Sequence, residues 1–171
     1  MRTKVFHHHA PHDTYLRNFI FGVEDSLVST VGLLAGVAAA DISARAILTT
    51  GLVLIVVEGF SMGVGSFLTE ETTEEMAGDP LQTIEAIKGG ATMLISYCLA
   101  GLIPLFPYAF LTGSTAITVS VILSLIGLLG LGYGTFLYFG RPHPWKHAFK
   151  MFLLGGSAVL MGMVVGNLFQ I

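Results

Sequence analysis

Charge is what this sequence has least of. Only 11% of its 171 residues are Asp, Glu, Lys or Arg, less than half of the roughly one quarter usual in a soluble domain. No Lys or Arg falls deep inside any of its long apolar runs. Cysteine is nearly missing as well. Cys98 stands alone within an apolar run, which excludes a disulfide framework or a CxxC metal site and leaves it a packing residue. No nucleophile and base pair and no complete metal motif appears, so the chain does not read as an enzyme. A cleavable secretory leader is also not expected, because the first apolar run carries Glu24 and Asp25 where a leader has a short uncharged stretch and a small-residue cleavage site.

In place of charge there is hydrocarbon: 53% of residues are hydrophobic and the mean hydropathy is +0.77. The apolar runs recur along nearly the whole chain, each long enough for the ~20 residues that cross a bilayer. They predict an all-α membrane protein with five transmembrane helices, at 18–40, 46–69, 90–111, 115–139 and 148–169. Residues 1–17 form a histidine-containing tail, 18–171 the five-helix domain, and 70–89 an acidic connection. Pro104 and Pro107 are expected to kink the third span. With the amino terminus in the cytosol, Arg2, Lys4, Arg17, Lys88, Arg141, Lys146 and Lys150 all lie inside and only Arg45 outside. Cytoplasmic segments are enriched in Lys and Arg, so this pattern predicts an N-inside, C-outside arrangement with an odd number of spans. An odd number cannot divide into two inverted halves, which points to a pathway made between subunits of a homodimer. Small residues four apart suit close helix contact at Gly32/Gly36, Gly59/Gly63, Gly130/Gly134 and Gly162/Gly166.

Against this background three acids stand out, because Glu24, Asp25 and Glu58 lie within spans. A charge at the bilayer centre costs at least roughly 2.5–3.5 kcal/mol, and these carboxylates have no intramembrane Lys or Arg to pair with. They must be protonated, hydrated or bound to a cation. Asp25 and Met62 each lie seven residues from the cytosolic boundary of their predicted spans, roughly 10 Å deep at 1.5 Å per residue. Glu58 is one helical turn deeper than Met62 on the same face. Carboxylate oxygen alone suits protons, magnesium, calcium or manganese; an added thioether favours a softer ion such as ferrous iron. The plain alternative for Met62 is packing.

The segment Leu16-Arg-Asn-Phe-Ile-Phe-Gly-Val-Glu-Asp-Ser-Leu-Val-Ser-Thr-Val-Gly-Leu-Leu-Ala-Gly-Val-Ala38, followed by Val57-Glu-Gly-Phe-Ser-Met-Gly-Val-Gly-Ser-Phe-Leu68, resembles the vacuolar iron transporter family. The resemblance implies a homodimeric exchanger that moves ferrous iron, and in some members manganese, out of the cytosol against protons. It assigns Asp25 to the family's first-helix acid and Met62 to the methionine of its Ser-Met-Gly motif, while Glu58 stands where many members have Asp and Glu24 where many have Asn. It places Asp25 and Glu58 in proton coupling. It also marks a departure, since plant and protist members insert a cytosolic metal-binding domain between the second and third spans. Here that connection keeps only a cluster of Glu70, Glu71, Glu74, Glu75 and Met76, either a cation collector at the pore mouth or a solvated acidic run.

His7, His8, His9 and His12 make a weak metal-capture tract or a plain tail, and Trp145 reads as an interfacial anchor. The expectation is therefore a proton-coupled exporter of ferrous iron or manganese in a prokaryotic plasma membrane. It holds no permanent cofactor, and its partners are lipid, protons, a transition-metal cation and a second copy of itself, with no nucleic acid. The competing expectation is a membrane-embedded metal-binding or assembly subunit that does not transport.

Overall fold

The fold is described from a computed structural model covering residues 11–77 and 83–169. His7, His8 and His9 lie outside the described residues, as does the side chain of His12. Five helices follow in order: α1 (Pro11–Ala39), α2 (Ala44–Ala77), α3 (Thr83–Phe110), α4 (Gly113–Tyr138) and α5 (Pro144–Leu168). All five are long and apolar enough to cross a membrane, and the protein is an integral, multi-pass membrane protein. Helices are the expected solution, since no water inside a bilayer is available to pair an open backbone. Several threonine hydroxyls are satisfied in the same local way. Thr49, Thr69, Thr92, Thr118 and Thr135 each donate to the carbonyl four residues back, at 2.7–2.9 Å.

Helical hydrogen bonding does not stop where hydrocarbon does, so the helices overrun the predicted spans. The largest difference is in the segment read as an acidic connection at 70–89: α2 continues through Ala77 and α3 resumes at Thr83, so most of that segment is helical. The 34 residues of α2 span roughly 50 Å at 1.5 Å each, well beyond the ~30 Å of hydrocarbon. Both prolines lie inside α3, which runs unbroken to Phe110, and Ser120 Oγ ties α4 to it by donating to the Pro104 carbonyl at 2.7 Å. The α4–α5 turn is a Schellman closure in which Gly140, at φ 60°, donates to the Leu137 carbonyl and Arg141 to that of Phe136. His143 then precedes Pro144, the first residue of α5.

Helix α1 is the hub, packing against all four other helices, whereas α2 touches only α3 and α1. Lipid tails are as apolar as leucine, so helix association here depends on close fit. The small residues provide it within one chain. A Cβ at Gly36 would lie 2.6 Å from the Gly162 carbonyl oxygen. Gly32 meets the backbone of Ala158 in the same way, and Gly162 and Gly166 face the carbonyls of Gly32 and Gly36. Gly63 sits against the Gly90 carbonyl and Gly59 against Cys98 Sγ. Gly130 and Gly134 face open space instead. Around this frame, Leu27, Val31, Leu34 and Ala35 of α1 are fully buried among side chains of the other helices.

Replacing Gly36 by Leu should therefore force α1 and α5 apart. The expected cost is at least about 1–3 kcal/mol, read as a lowered melting temperature in detergent, with Gly156→Leu, which has open space around it, within about 0.5 kcal/mol of the native protein. Equal melting of the two variants would show that the α1–α5 contact is looser than described.

Candidate functional site

Three helices bring polar side chains together near their midpoints. Glu58 of α2 accepts a short hydrogen bond from the hydroxyl of Tyr97 on α3. The same hydroxyl lies 2.7 Å from Ser29 Oγ of α1, and Ser26 Oγ donates to the Tyr97 carbonyl at 2.6 Å. Tyr97 is fully buried, at 0% exposure. Asp25, one turn before Ser29 on the same face of α1, lies within electrostatic reach of Glu58 and of the Tyr97 hydroxyl. Neither acid is among the ion pairs of the described residues, which are Arg17–Glu70 and Lys88–Glu85. The centre thus holds two carboxylates without a basic counter-ion, one of them anchored through a tyrosine.

From this centre the two ends of the molecule differ. Toward the start of α1, residues four apart on α2 draw one stripe of Glu58, Met62, Ser66 and Glu70. Opposite it, Asn18 Nδ2 donates to Ser66 Oγ at 2.9 Å and to Glu70 Oε1 at 3.2 Å. Arg17 pairs with the same Glu70 oxygen at 3.3 Å. Toward the other end, a groove of about 520 Å³ opens between α1, α2 and α5 because α2 does not touch α5. Glu58 and Ser29 stand in its wall, which continues past Gly32, Gly36 and Met161 to Ile42 and Phe169.

Measured against the sequence-derived set, the structure joins Asp25 and Glu58 and separates the rest. Met62 is half-buried one turn from Glu58, outside the Tyr97 network. Glu24 turns away from Asp25, lining a shallow cavity of about 270 Å³ with Arg17, Ile20, Phe21 and Phe139. Of the acidic cluster, Glu70 is the one that meets Asn18 and Arg17. Glu71, Glu74, Glu75 and Met76 occupy the last turns of α2, with Glu75 and Met76 exposed. Among the described residues no three His, Cys, Asp or Glu side chains are grouped so as to hold a metal ion. Sequence reasoning missed Tyr97, Asn18 and Met161. The available signal for Tyr97 was a polar tip near the midpoint of an apolar run, at the same depth as the two acids.

Fold and site define a class: a polytopic helical membrane protein with an unpaired acidic pair at mid-membrane and a groove leading to it. The sequence profile of the VIT family matches residues 16–83 and 69–167, and the chain belongs to that family. It is similar to "Vacuolar iron transporter 1" of Eucalyptus grandis, 28% identical over 211 aligned positions covering 86% of this chain and 84% of that protein. It is also similar to "Vacuolar iron transporter" of Centaurea cyanus, 26% identical with 93% and 90% covered, and to "Vacuolar iron transporter homolog 2" of Oryza sativa subsp. japonica, 27% identical with 91% and 90% covered. The Eucalyptus alignment is longer than the 171 residues of this chain, so that relative carries residues without a counterpart here. The two pieces of the family match overlap over residues 69–83, from the last turns of α2 to the first residue of α3.

Tyr97→Phe removes the one hydroxyl shared by Glu58 and Ser29. The variant should lose about 1–3 kcal/mol of stability, the cost of leaving a buried polar group unsatisfied, measured by thermal melting in detergent. The double variant Tyr97→Phe/Glu58→Leu should recover part of that loss. No loss in the single variant would mean that the three-way contact does not hold the helices.

Proposed function

We propose that this protein carries ferrous iron, with manganese as a second cargo, out of the cytosol in exchange for protons, as a homodimer in a prokaryotic plasma membrane. The observation that carries the reading is the pair Asp25 and Glu58, held at mid-membrane within electrostatic reach of each other and outside every ion pair of the described residues. A buried carboxylate needs its charge cancelled. A proton and a metal ion do this equally, so the two compete for one site, and coupling follows from the competition. Met62, one turn nearer the cytosol in the N-inside orientation, adds a soft donor along the approach. The groove beyond Glu58 favours transport over a non-transporting subunit, because a binding subunit needs no access from the far end. That groove is open along one side, and a second copy lying against it would close the route. Family membership and the names of the relatives agree with a metal-ion cargo. The short α2–α3 connection supports the prokaryotic assignment.

The test is flux in proteoliposomes with an imposed pH gradient. Ferrous iron should accumulate on the acidic side and a protonophore should collapse the accumulation. Asp25→Asn and Glu58→Gln should each lower flux at least about tenfold, equivalent to about 1.4 kcal/mol. Acidifying the metal-loading side should slow uptake, since a protonated carboxylate does not ligate. In a competition series of ferrous iron, manganese, cobalt and zinc, Met62→Leu should shift preference toward manganese. Native flux in the Asp25→Asn variant would remove that residue from the route.

A further inference from the structure

The carboxylate at Glu70 is treated differently from the other acids at its end of α2, and the difference has a functional reading that rests on the proposed transport. Its side chain is 12% exposed, against 66% for its partner Arg17. Asn18, which donates to both Glu70 and Ser66, is 3% exposed. The third wall is Gly89 of α3, where a Cβ would run into the Glu70 carboxylate and lie 3.0 Å from Asn18 Nδ2. Helices α1, α2 and α3 are thus drawn together at one end by a single buried amide and carboxylate. Glu70 lies on the stripe that leads through Ser66 and Met62 to Glu58, and Asn18 lies two turns before Asp25 on α1. The cluster thus stands at the outer end of the polar stripe that leads to the acidic pair. At the opposite end the wall is not closed, because the groove reaches Glu58.

We propose that Arg17, Asn18, Ser66 and Glu70 form the cytosolic gate of the cation route. Glu70 is a cation-binding carboxylate in it, and the guanidinium of Arg17 holds the cation's place while the gate is closed. The chemistry is a substitution of one cation for another. The guanidinium of Arg17 is itself largely in water already, at 66% exposure, so its own hydration does not oppose its swinging away, and the cost of opening falls on Glu70. Leaving Glu70 partly buried without any cation would be far more costly. A divalent ion arriving from the cytosol meets both conditions, since it displaces the guanidinium and keeps the carboxylate paired throughout. Ser66 Oγ and the Asn18 amide oxygen are the neighbouring oxygen donors, an all-oxygen set that suits a hydrated manganous ion and does not select for a softer one at first capture. Closed at Glu70 and open toward Glu58 from the far side, this conformation is the one from which cargo leaves.

The test uses thiol accessibility and so does not depend on flux. In the full-length protein carrying Cys98→Ser, Met62→Cys places a reporter thiol one turn past Ser66. Inside-out vesicles are treated with a charged, membrane-impermeant thiol reagent. Labelling should be slow with the native cluster and with Arg17→Lys, which keeps the charge. It should rise at least about tenfold, or about 1.4 kcal/mol in the closing equilibrium, in Arg17→Gln and in Glu70→Gln, each checked for monodispersity in detergent. Manganese, the probe ion, should slow labelling again in Arg17→Gln and leave Glu70→Gln unchanged. Equal rates in all four chains would overturn the gate, and manganese protection that persists in Glu70→Gln would overturn Glu70 as its cation site. Loss of native metal flux with the labelling pattern intact would count against the transport reading while leaving the gate geometry standing.

Discussion

An ionised carboxylate at the bilayer centre costs at least roughly 2.5–3.5 kcal/mol, and this chain places two carboxyl groups, Asp25 and Glu58, near the midpoints of its helices and within electrostatic reach of each other. Like charges at such range make the cost of ionising both larger still. No Lys or Arg pairs with either acid among the described residues, so in the proposed transport the species that cancels the charge is free to come and go. A Lys in place of Ser29 would satisfy the acids permanently and abolish their use. A tyrosine hydroxyl does something different. It donates one hydrogen bond to Glu58 and fixes where the carboxylate stands, while contributing no charge of its own. The acid is thereby held in position and still available to a cation.

That arrangement dictates the packing around it. Glu58, Tyr97 and Ser29 belong to three different helices, so their contact demands that α1, α2 and α3 meet within a few ångströms of one another. Close approach is possible only where side chains are small. Gly59 and Gly63 let α2 onto α3, and Gly22 and Gly89 lie against polar atoms of Met93, Ser96, Asn18 and Glu70. The tight α1–α5 contact through Gly32, Gly36, Gly162 and Gly166 then holds the central helix from behind. Gly32 and Gly36 do two things at once. They seat α5, and they widen the groove that leads to Glu58.

Much of this was legible in the sequence for identifiable reasons. The spans follow from hydrophobic length, and the acids at Asp25 and Glu58 follow from charge in the wrong solvent. Both signals are local. The Leu16–Ala38 and Val57–Leu68 segments also carried the family. What the sequence could not show was direction around the helix axis combined with pairing between helices. Glu24 and Asp25 are adjacent in sequence but point to different surroundings. Glu70 and Glu71 are adjacent, yet only Glu70 meets Asn18. A tyrosine in an apolar run is as good a packing residue as a functional one until a facing carboxylate is known. Three of the four glycine pairs were legible as contacts, the exception being Gly130/Gly134, but whether such pairs join helices within one chain or between two is a property of the assembled bundle.

The two halves of the route obey different chemistry, and the division falls at Glu58. On the Glu70 side there is oxygen and sulfur at every turn of α2, through Glu70, Ser66 and Met62. A dehydrating ion can be handed along such a ladder, because each turn replaces a lost water by a protein donor. On the far side the described wall is glycine, aliphatic side chains and Phe169, with the thioether of Met161 its one side-chain donor among the described residues besides those of Ser29 and Glu58. An ion cannot step along such a surface dry. It must leave hydrated, and a groove of about 520 Å³ is large enough for an ion to regain water, each molecule of which takes roughly 30 Å³ in the liquid. In the proposed route Glu58 is therefore the point at which an ion would exchange protein donors for solvent. The proposed exchange would require an acid whose position is fixed and whose charge a proton could take over as the metal departs, and the Tyr97 contact fixes Glu58 without supplying a counter-charge.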